Sequence, residues 1–184
     1  VNQGSYDRGL LYRLDFLTSG VIIFSKNKEV LDSYRNQSVS KEKYYLAVVE
    51  GEIANDFSFD HYIDYCGKKD GHAKVDCSRS PNARIKGKRV AYLKEKNKSL
   101  VVIQLFEGLR HQIRVQLSYE NFPIVGDPLY GSEGERLFLH AYRYSFEFNK
   151  KKYDITDSNI NLFEVILNLN GGLEMINKAL GSFN

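Results

Sequence analysis

A chain of 184 residues with 42% hydrophobic content is long enough for one domain with its own core and too apolar to be disordered. No run approaches the ~18 consecutive apolar residues of a transmembrane helix, and two cysteines make no disulfide framework, so a reducing, cytoplasmic setting is expected. The net charge of +3 hides an asymmetry: residues 68–98 carry 11 Lys or Arg against Asp70, Asp76 and Glu95, a net +8, and the rest carries −5, a field that suits a polyanion or, equally, a solvated loop.

The N-terminus has neither the basic start nor the apolar run of a signal peptide, and the one methionine is Met175, so a processed chain or a fragment is expected. Residues 12–15 place Arg13 and Asp15 two apart among Leu10, Leu11, Leu14, Phe16 and Leu17. On an extended segment the two share a face, as a structural ion pair or as a reactive carboxylate with a cation beside it. After Gly20, residues 21–25 (VIIFS) predict a short strand. Asn27 is placed to cap a short helix through Val30, Leu31 and Tyr34. Residues 44–49 (YYLAVV) predict a strand that ends at Glu50-Gly51. The basic stretch reads as turn-rich, with breaks at Cys66-Gly67, Asp70-Gly71 and Ser80-Pro81-Asn82.

Residues 99–106 (SLVVIQLF) predict a strong strand, broken by Glu107-Gly108. In the following run Ile113 and Leu117 are four apart, and so are Arg110 and Arg114, which predicts an amphipathic helix with an arginine fork on one face. Residues 122–131 make a turn-rich exit, and Leu137, Leu139 and Ala141 alternate along a further strand. The chain after residue 152 predicts a helical tail, around 162–167 and again around 173–180. There are no repeats and no Pro-rich linker, so the whole chain is expected to be one α+β domain, with a helical C-terminal tail over 153–184.

Four stretches, taken together, resemble one family. YRLDFLTSG is similar to the HRLDxxTSG signature of RluA-type pseudouridine synthases, and KYYLAVVEG to their KxYLAxVxG strand. EGLRHQIRVQLSYENFPIVGDPLYG resembles TGRxHQIRVHLxxxGxPIxGDxxYG, and LFLHAYRYSF resembles LxLHAxxLxF. The order is the family's, over roughly residues 9–148. The resemblance implies a mixed, mostly antiparallel sheet with flanking helices and loops around a central RNA-binding cleft. It also implies isomerisation of uridine to pseudouridine in ribosomal or transfer RNA, with no cofactor and no metal. It carries the nucleophilic aspartate to Asp15, the base-stacking tyrosine to Tyr45, the aspartate's arginine partner to Arg114, and the nucleotide-flipping arginine to Arg13. Thr18, Arg110, His111 and Gln112 are expected to contact substrate, and Lys86, Lys88 and Arg89 to supply phosphate contacts.

The chemistry suits those residue types. A stacked uridine hides C1′ and C6 and must be extruded. The freed base stacks on an aromatic ring, a carboxylate serves as nucleophile, and an arginine keeps its charge when desolvated. Three departures stand out. Tyr12 replaces the motif's histidine, Leu109 replaces its arginine, and an earlier strand with a Lys-Pro-Ala-Gly-like segment has no counterpart, so the first strand or strands of the domain are expected to be missing. A catalytically weakened RNA-binding protein of the same fold is therefore an alternative. A zinc module built from His61, Cys66, His72 and Cys77 is another, although their spacing lacks a close Cys pair. A glycosidase would need a second carboxylate across the bond. His111 and His140 are read as holding neighbours in place rather than moving protons. No membrane partner is expected, and a monomer is the default.

Overall fold

In the computed structural model, which describes residues 9–36, 40–65, 72–157, 159–160, 163 and 171–183, the apolar runs pair into a seven-stranded sheet. The elements are β1 (Ser19–Gly20), α1 (Lys28–Asn36), β2 (Lys41–Glu50), β3 (Asp56–His61), β4 (Ile63–Tyr65), β5 (Ala73–Val75), β6 (Ala83–Leu93), β7 (Lys98–Leu105), α2 (Gln112–Tyr119), β8 (Leu139–Phe148), β9 (Lys151–Thr156) and α3 (Gly172–Leu180). The strand order is β1-β8-β2-β7-β6-β3, with β9 also on β8, and β4 and β5 form a separate hairpin. Every pairing is antiparallel except β1 on β8. This is the expected α+β class with a mixed, mostly antiparallel sheet.

β2 is central because both its faces are apolar: Leu46, Ala47, Val48 and Val49 are all fully buried. Its partner β7 contributes Leu100–Ile103 to the same core, and α2 closes one side with Ile113 and Leu117. Each such buried aliphatic side chain contributes about 1.5–3 kcal/mol. Asn27 caps α1 as its side-chain chemistry predicts, its Oδ1 accepting the Val30 N–H at 2.9 Å. A second core joins Tyr34 of α1 to Tyr144, Phe146 and Phe148 of β8.

Several expectations need correction. Residues 21–25 are not a strand of the sheet. They lie extended against residues 9–11, through the Leu10–Phe24 bridge and the bonds from Leu11 N–H to Ile23 O and from Ser25 N–H to Gly9 O. Residues 153–156 do not begin a helical tail: they belong to β9, because Asn149 and Lys150 both take positive φ (51° and 60°) and turn the chain back on β8. Arg143 and Asp154 then pair across the hairpin, and Tyr153 stacks on Phe146 with centroids 4.9 Å apart. The second tail helix is α3, whereas most of 162–167 lies outside the described residues.

The stretch read as a basic loop holds β6, whose Ala83, Ile85 and Gly87 face inward while Arg84 and Lys86 are exposed. A Cβ at position 87 would meet the Phe57 ring at 1.9 Å, so this strand needs glycine there. Lys68, Lys69 and the turns at Cys66-Gly67 and Asp70-Gly71 lie outside the described residues. Among the described residues, no helix is long and apolar enough to cross a membrane.

Candidate active site

The segment bearing Asp15 is irregular, yet it is fastened to β8 on its C-terminal side. Thr18 N–H closes a turn onto Asp15 O at 2.9 Å, and Val21 N–H bonds Ala141 O at 2.8 Å. Between them Gly20 sits at φ +112°, where a Cβ would lie 2.3 Å from the Ala141 carbonyl oxygen; only glycine permits that approach. Ser19 Oγ meets His140 Nδ1 at 2.9 Å and accepts from Arg136 Nη2 at 2.8 Å. His140, itself near Asp157 (3.4 Å), thus ties the Asp15 turn to the sheet. Tyr12 secures the other flank. Its hydroxyl donates to Val21 O, and its ring stacks on Tyr144 at 4.3 Å.

This anchoring brings Asp15 to a cavity of about 400 Å³ at the end of β2 and β7. Arg13, Thr18, Tyr45, Gln112 and Arg114 line it with Asp15, so six of the eleven residues expected at the site share one cavity. Tyr45 is nearly buried (6% exposed) on β2. Burial first, then the negative charge of Asp15, pushes its phenol well above the ordinary value. A phenol that holds its proton so firmly suits a wall for stacking better than an acceptor of protons.

Arg114 rises from α2 with 3% of its side chain exposed. Its principal partner is Asp127, wholly buried, which it grips in a fork: Nε to Oδ2 at 2.8 Å and Nη2 to Oδ1 at 2.7 Å. The remaining Nη1 reaches Asp15 Oδ2 at 3.4 Å, where Asp15 is 21% exposed. Asp127 also accepts the N–H groups of Leu129 and Tyr130. Burial raises its carboxyl, but these bonds and the guanidinium outweigh burial and hold it below the usual carboxylate value. The order is therefore Asp127 fixing Arg114, and Arg114 presenting one N–H to Asp15. Asp127 stood in the GDPLYG run of the family resemblance, but no spacing rule pairs it with Arg114.

Lys43 also lines the cavity, donating from Nζ to Glu107 O at 2.8 Å. Burial, then the neighbouring Lys41, pushes its ammonium down to about 8 despite Glu107. In the sequence Lys43 stands out only as the lysine that opens the KYYLAVVEG stretch. The basic stretch's own signal did not single it out, since it lies outside that window.

The other expected contacts separate. Arg110 and Arg114 do not form a fork on one helix face: α2 begins at Gln112, His111 takes φ 55°, and Arg110 is exposed in the loop before it. Arg110 N–H donates to Tyr65 Oη at 2.8 Å. His111 is buried against Tyr130, with Nδ1 2.9 Å from its hydroxyl. Gln112 spends its amide on the loop, accepting from Gly108 and Leu109 N–H and donating to Arg84 O and Glu107. Leu109, at the family's arginine position, packs against a small cluster that includes Ile63 and Val115. Lys88 pairs with Asp56 and Arg89 with Glu52, whereas Lys86 has no carboxylate partner among the described residues. Of the zinc candidates, His61 bonds Glu120 at 2.9 Å and Cys77 bonds the Tyr119 hydroxyl, and Cys66 lies outside the described residues. Among the described residues no group of three or more His, Cys, Asp or Glu is arranged for a metal.

Against known proteins, residues 3–119 match the family described as RNA pseudouridylate synthase. The ribosomal large subunit pseudouridine synthase D of Borreliella burgdorferi is 31% identical over 160 residues, 83% of this chain and 48% of that protein. An uncharacterized RNA pseudouridine synthase of Mycoplasma capricolum is 32% identical over 167 residues, 86% of this chain and 54% of that protein. The chain thus spans about half the length of these curated relatives. The solved structure of human RNA pseudouridylate synthase domain containing 1 superposes with a TM-score of 0.71 at 23% identity, covering 82% of this chain and 69% of that one, a likeness of fold.

Proposed function

This chain belongs to the RNA pseudouridylate synthase family, and we propose that it isomerises uridine to pseudouridine in ribosomal or transfer RNA, with Asp15 as nucleophile. The observation that carries the reading is the cavity in which Asp15, Tyr45 and Arg114 meet, with Arg13 at its edge. In the reaction the C1′–N1 bond breaks, the uracil turns, and C5 joins C1′. The proton lost from C5 is balanced by the one gained at N1, so nothing else is consumed and no cofactor or metal is called for.

Each residue has a task that its surroundings support. Arg13, exposed beside the cavity, fills the space left by the extruded nucleotide and meets phosphate. The Tyr45 ring stacks the freed base. Arg114, rigid on Asp127, keeps a positive charge beside the Asp15 carboxylate through the reaction. Thr18 holds the Asp15 turn. Lys86 meets the phosphate backbone, with Arg110 as a second exposed cation and the ion-paired Lys88 and Arg89 in lesser roles. The setting is the cytoplasm, where ribosomal and transfer RNA are modified, and the working unit is a monomer.

The test is Asp15→Asn, which keeps the shape and removes the nucleophile. Pseudouridine is scored in RNA incubated with each protein, and RNA binding is measured in parallel. Turnover is expected to vanish while affinity stays within a few-fold. Turnover within about tenfold of the parent chain overturns the assignment, because covalent catalysis contributes far more than that.

A further inference from the structure

We infer that Phe106, flanked by Arg84 and Lys86, is a stacking platform for the nucleotide next to the target uridine; the inference rests on the RNA reading above. The cavity holding Asp15 has about 400 Å³, near the lower end of the ~300–1,000 Å³ usual for ligand pockets. It therefore takes one extruded base with its sugar, and the neighbouring nucleotides must lie at its mouth.

Phe106 is at that mouth. It is the first residue after β7, it lines the same cavity, and it is 41% exposed. A lone exposed apolar side chain would mean little, but this ring is dressed for a polyanion. The Arg84 guanidinium carbon and the Lys86 Nζ each lie 5.9 Å from its centroid. The β6–β7 register puts these cations there: Phe106 N–H bonds Arg84 O, and Lys86 is two residues along the same face of β6. Arg84 is balanced by Asp60 at 2.5 Å, whereas Lys86 faces solvent without a carboxylate among the described residues. Aromatic face, adjacent phosphate-seeking cation and cavity edge are the elements with which proteins hold unpaired nucleotides. Stacking reads no hydrogen-bond pattern, so the platform accepts any base and favours unpaired RNA around the target.

The experiment uses the full chain at low salt and a short, end-labelled oligoribonucleotide with one central uridine between adenosines. Two companion RNAs carry an abasic ribose immediately 5′ or immediately 3′ of the uridine, and affinity is read by fluorescence anisotropy. Phe106→Ala is expected to weaken binding of the intact RNA about fivefold to a hundredfold. On one of the two abasic RNAs it is expected to match the parent chain, because there the stacked base is already gone. Phe106→Trp is expected to retain or exceed parent affinity, which separates stacking from misfolding. Parent-like binding of intact RNA by Phe106→Ala overturns the platform, and so does an equal loss on all three RNAs. Pseudouridine formation is scored separately. A parent chain that binds these RNAs with the predicted pattern but forms no pseudouridine in ribosomal or transfer RNA overturns the proposed reaction and leaves the platform standing; one that binds none of the short RNAs overturns the platform.

Discussion

Replacing Arg114 by Met tests whether the buried fork, and not the contact with Asp15, is the main work of that arginine. The change strands Asp127, which is wholly buried and forked by Arg114 at 2.7 and 2.8 Å. Removing one partner of such a pair costs about 3–5 kcal/mol. For a chain of this size each kcal/mol moves the melting midpoint by about 2–4 °C, so a fall of about 6–20 °C is expected by circular dichroism. The pH dependence should also change sign. In the parent, the Asp127 carboxyl titrates below its ordinary 3.8, so its stabilisation is complete at neutral pH and is lost as the solution is acidified through that lower value. In Arg114→Met the uncompensated buried carboxylate prefers its proton, so stability should rise as pH falls from 7 toward 4. The double variant Arg114→Met with Asp127→Asn removes the charge and leaves an amide oxygen for the Leu129 and Tyr130 N–H groups. It should regain most of the lost stability yet no activity, because Asp15 still lacks its cation. Arg110→Met, at an exposed loop position, should stay within about 0.5 kcal/mol of the parent. A midpoint drop of less than about 3 °C for Arg114→Met, or a double variant that merely adds two losses, would refute the reasoning.

Two further outcomes are expected. Burial depresses the Lys43 ammonium to about 8 from 10.5, so the folded chain sheds this proton before the unfolded one and stability should rise with pH between those values. Lys43→Met should melt higher at pH 7 and lose that rise, and RNA affinity of the parent should weaken above pH 8 as the cavity cation is lost; flat melting and binding curves would remove Lys43 from this role. Lys86→Gln should lower the slope of log affinity against log salt by about 0.7 for its one contact with unpaired RNA, and Lys88→Gln or Arg89→Gln by less, since Asp56 and Glu52 already offset them. Equal slopes for all three, measured by RNA titration at several salt concentrations, would count against that ranking.

Which parts of the fold were legible depended on whether one physical signal dominated. β2 and β7 are buried on both faces, so their apolar runs stood out, and Asn27 announced the start of α1. β6 was hidden by composition. Its outward positions are Lys and Arg, and counting charge over the window obscured the alternation of Ala83, Ile85 and Gly87 with Arg84, Lys86 and Lys88. β9 was hidden by its turn, since Asn149-Lys150 lacks the glycine that usually marks two residues at positive φ. For residues 21–25 the apolar run shows extended backbone but names no partner. Their hydrogen bonds go to residues 9–11 and not to the main sheet, a choice that only tertiary packing makes.

The site shows the same limit in sharper form. Asp15, Tyr45 and Arg114 were reachable because each sits inside a contiguous motif. What makes the arginine usable is Asp127, thirteen residues further on and past the turn that follows α2. A pair of opposite charges at that separation carries no periodicity, so the sequence gives no reason to join them. Helical spacing instead suggested Arg110 as the companion of Arg114. That inference assumed the helix already runs at residue 110, but His111 at φ 55° breaks it. The break has a use: it frees Gln112 to cap the Gly108-Leu109 turn with its own side chain and leaves Arg110 facing solvent. One arginine is thereby sealed into the cavity wall and the other is left facing solvent. Two like charges four residues apart are thus given different electrostatic work by one backbone angle.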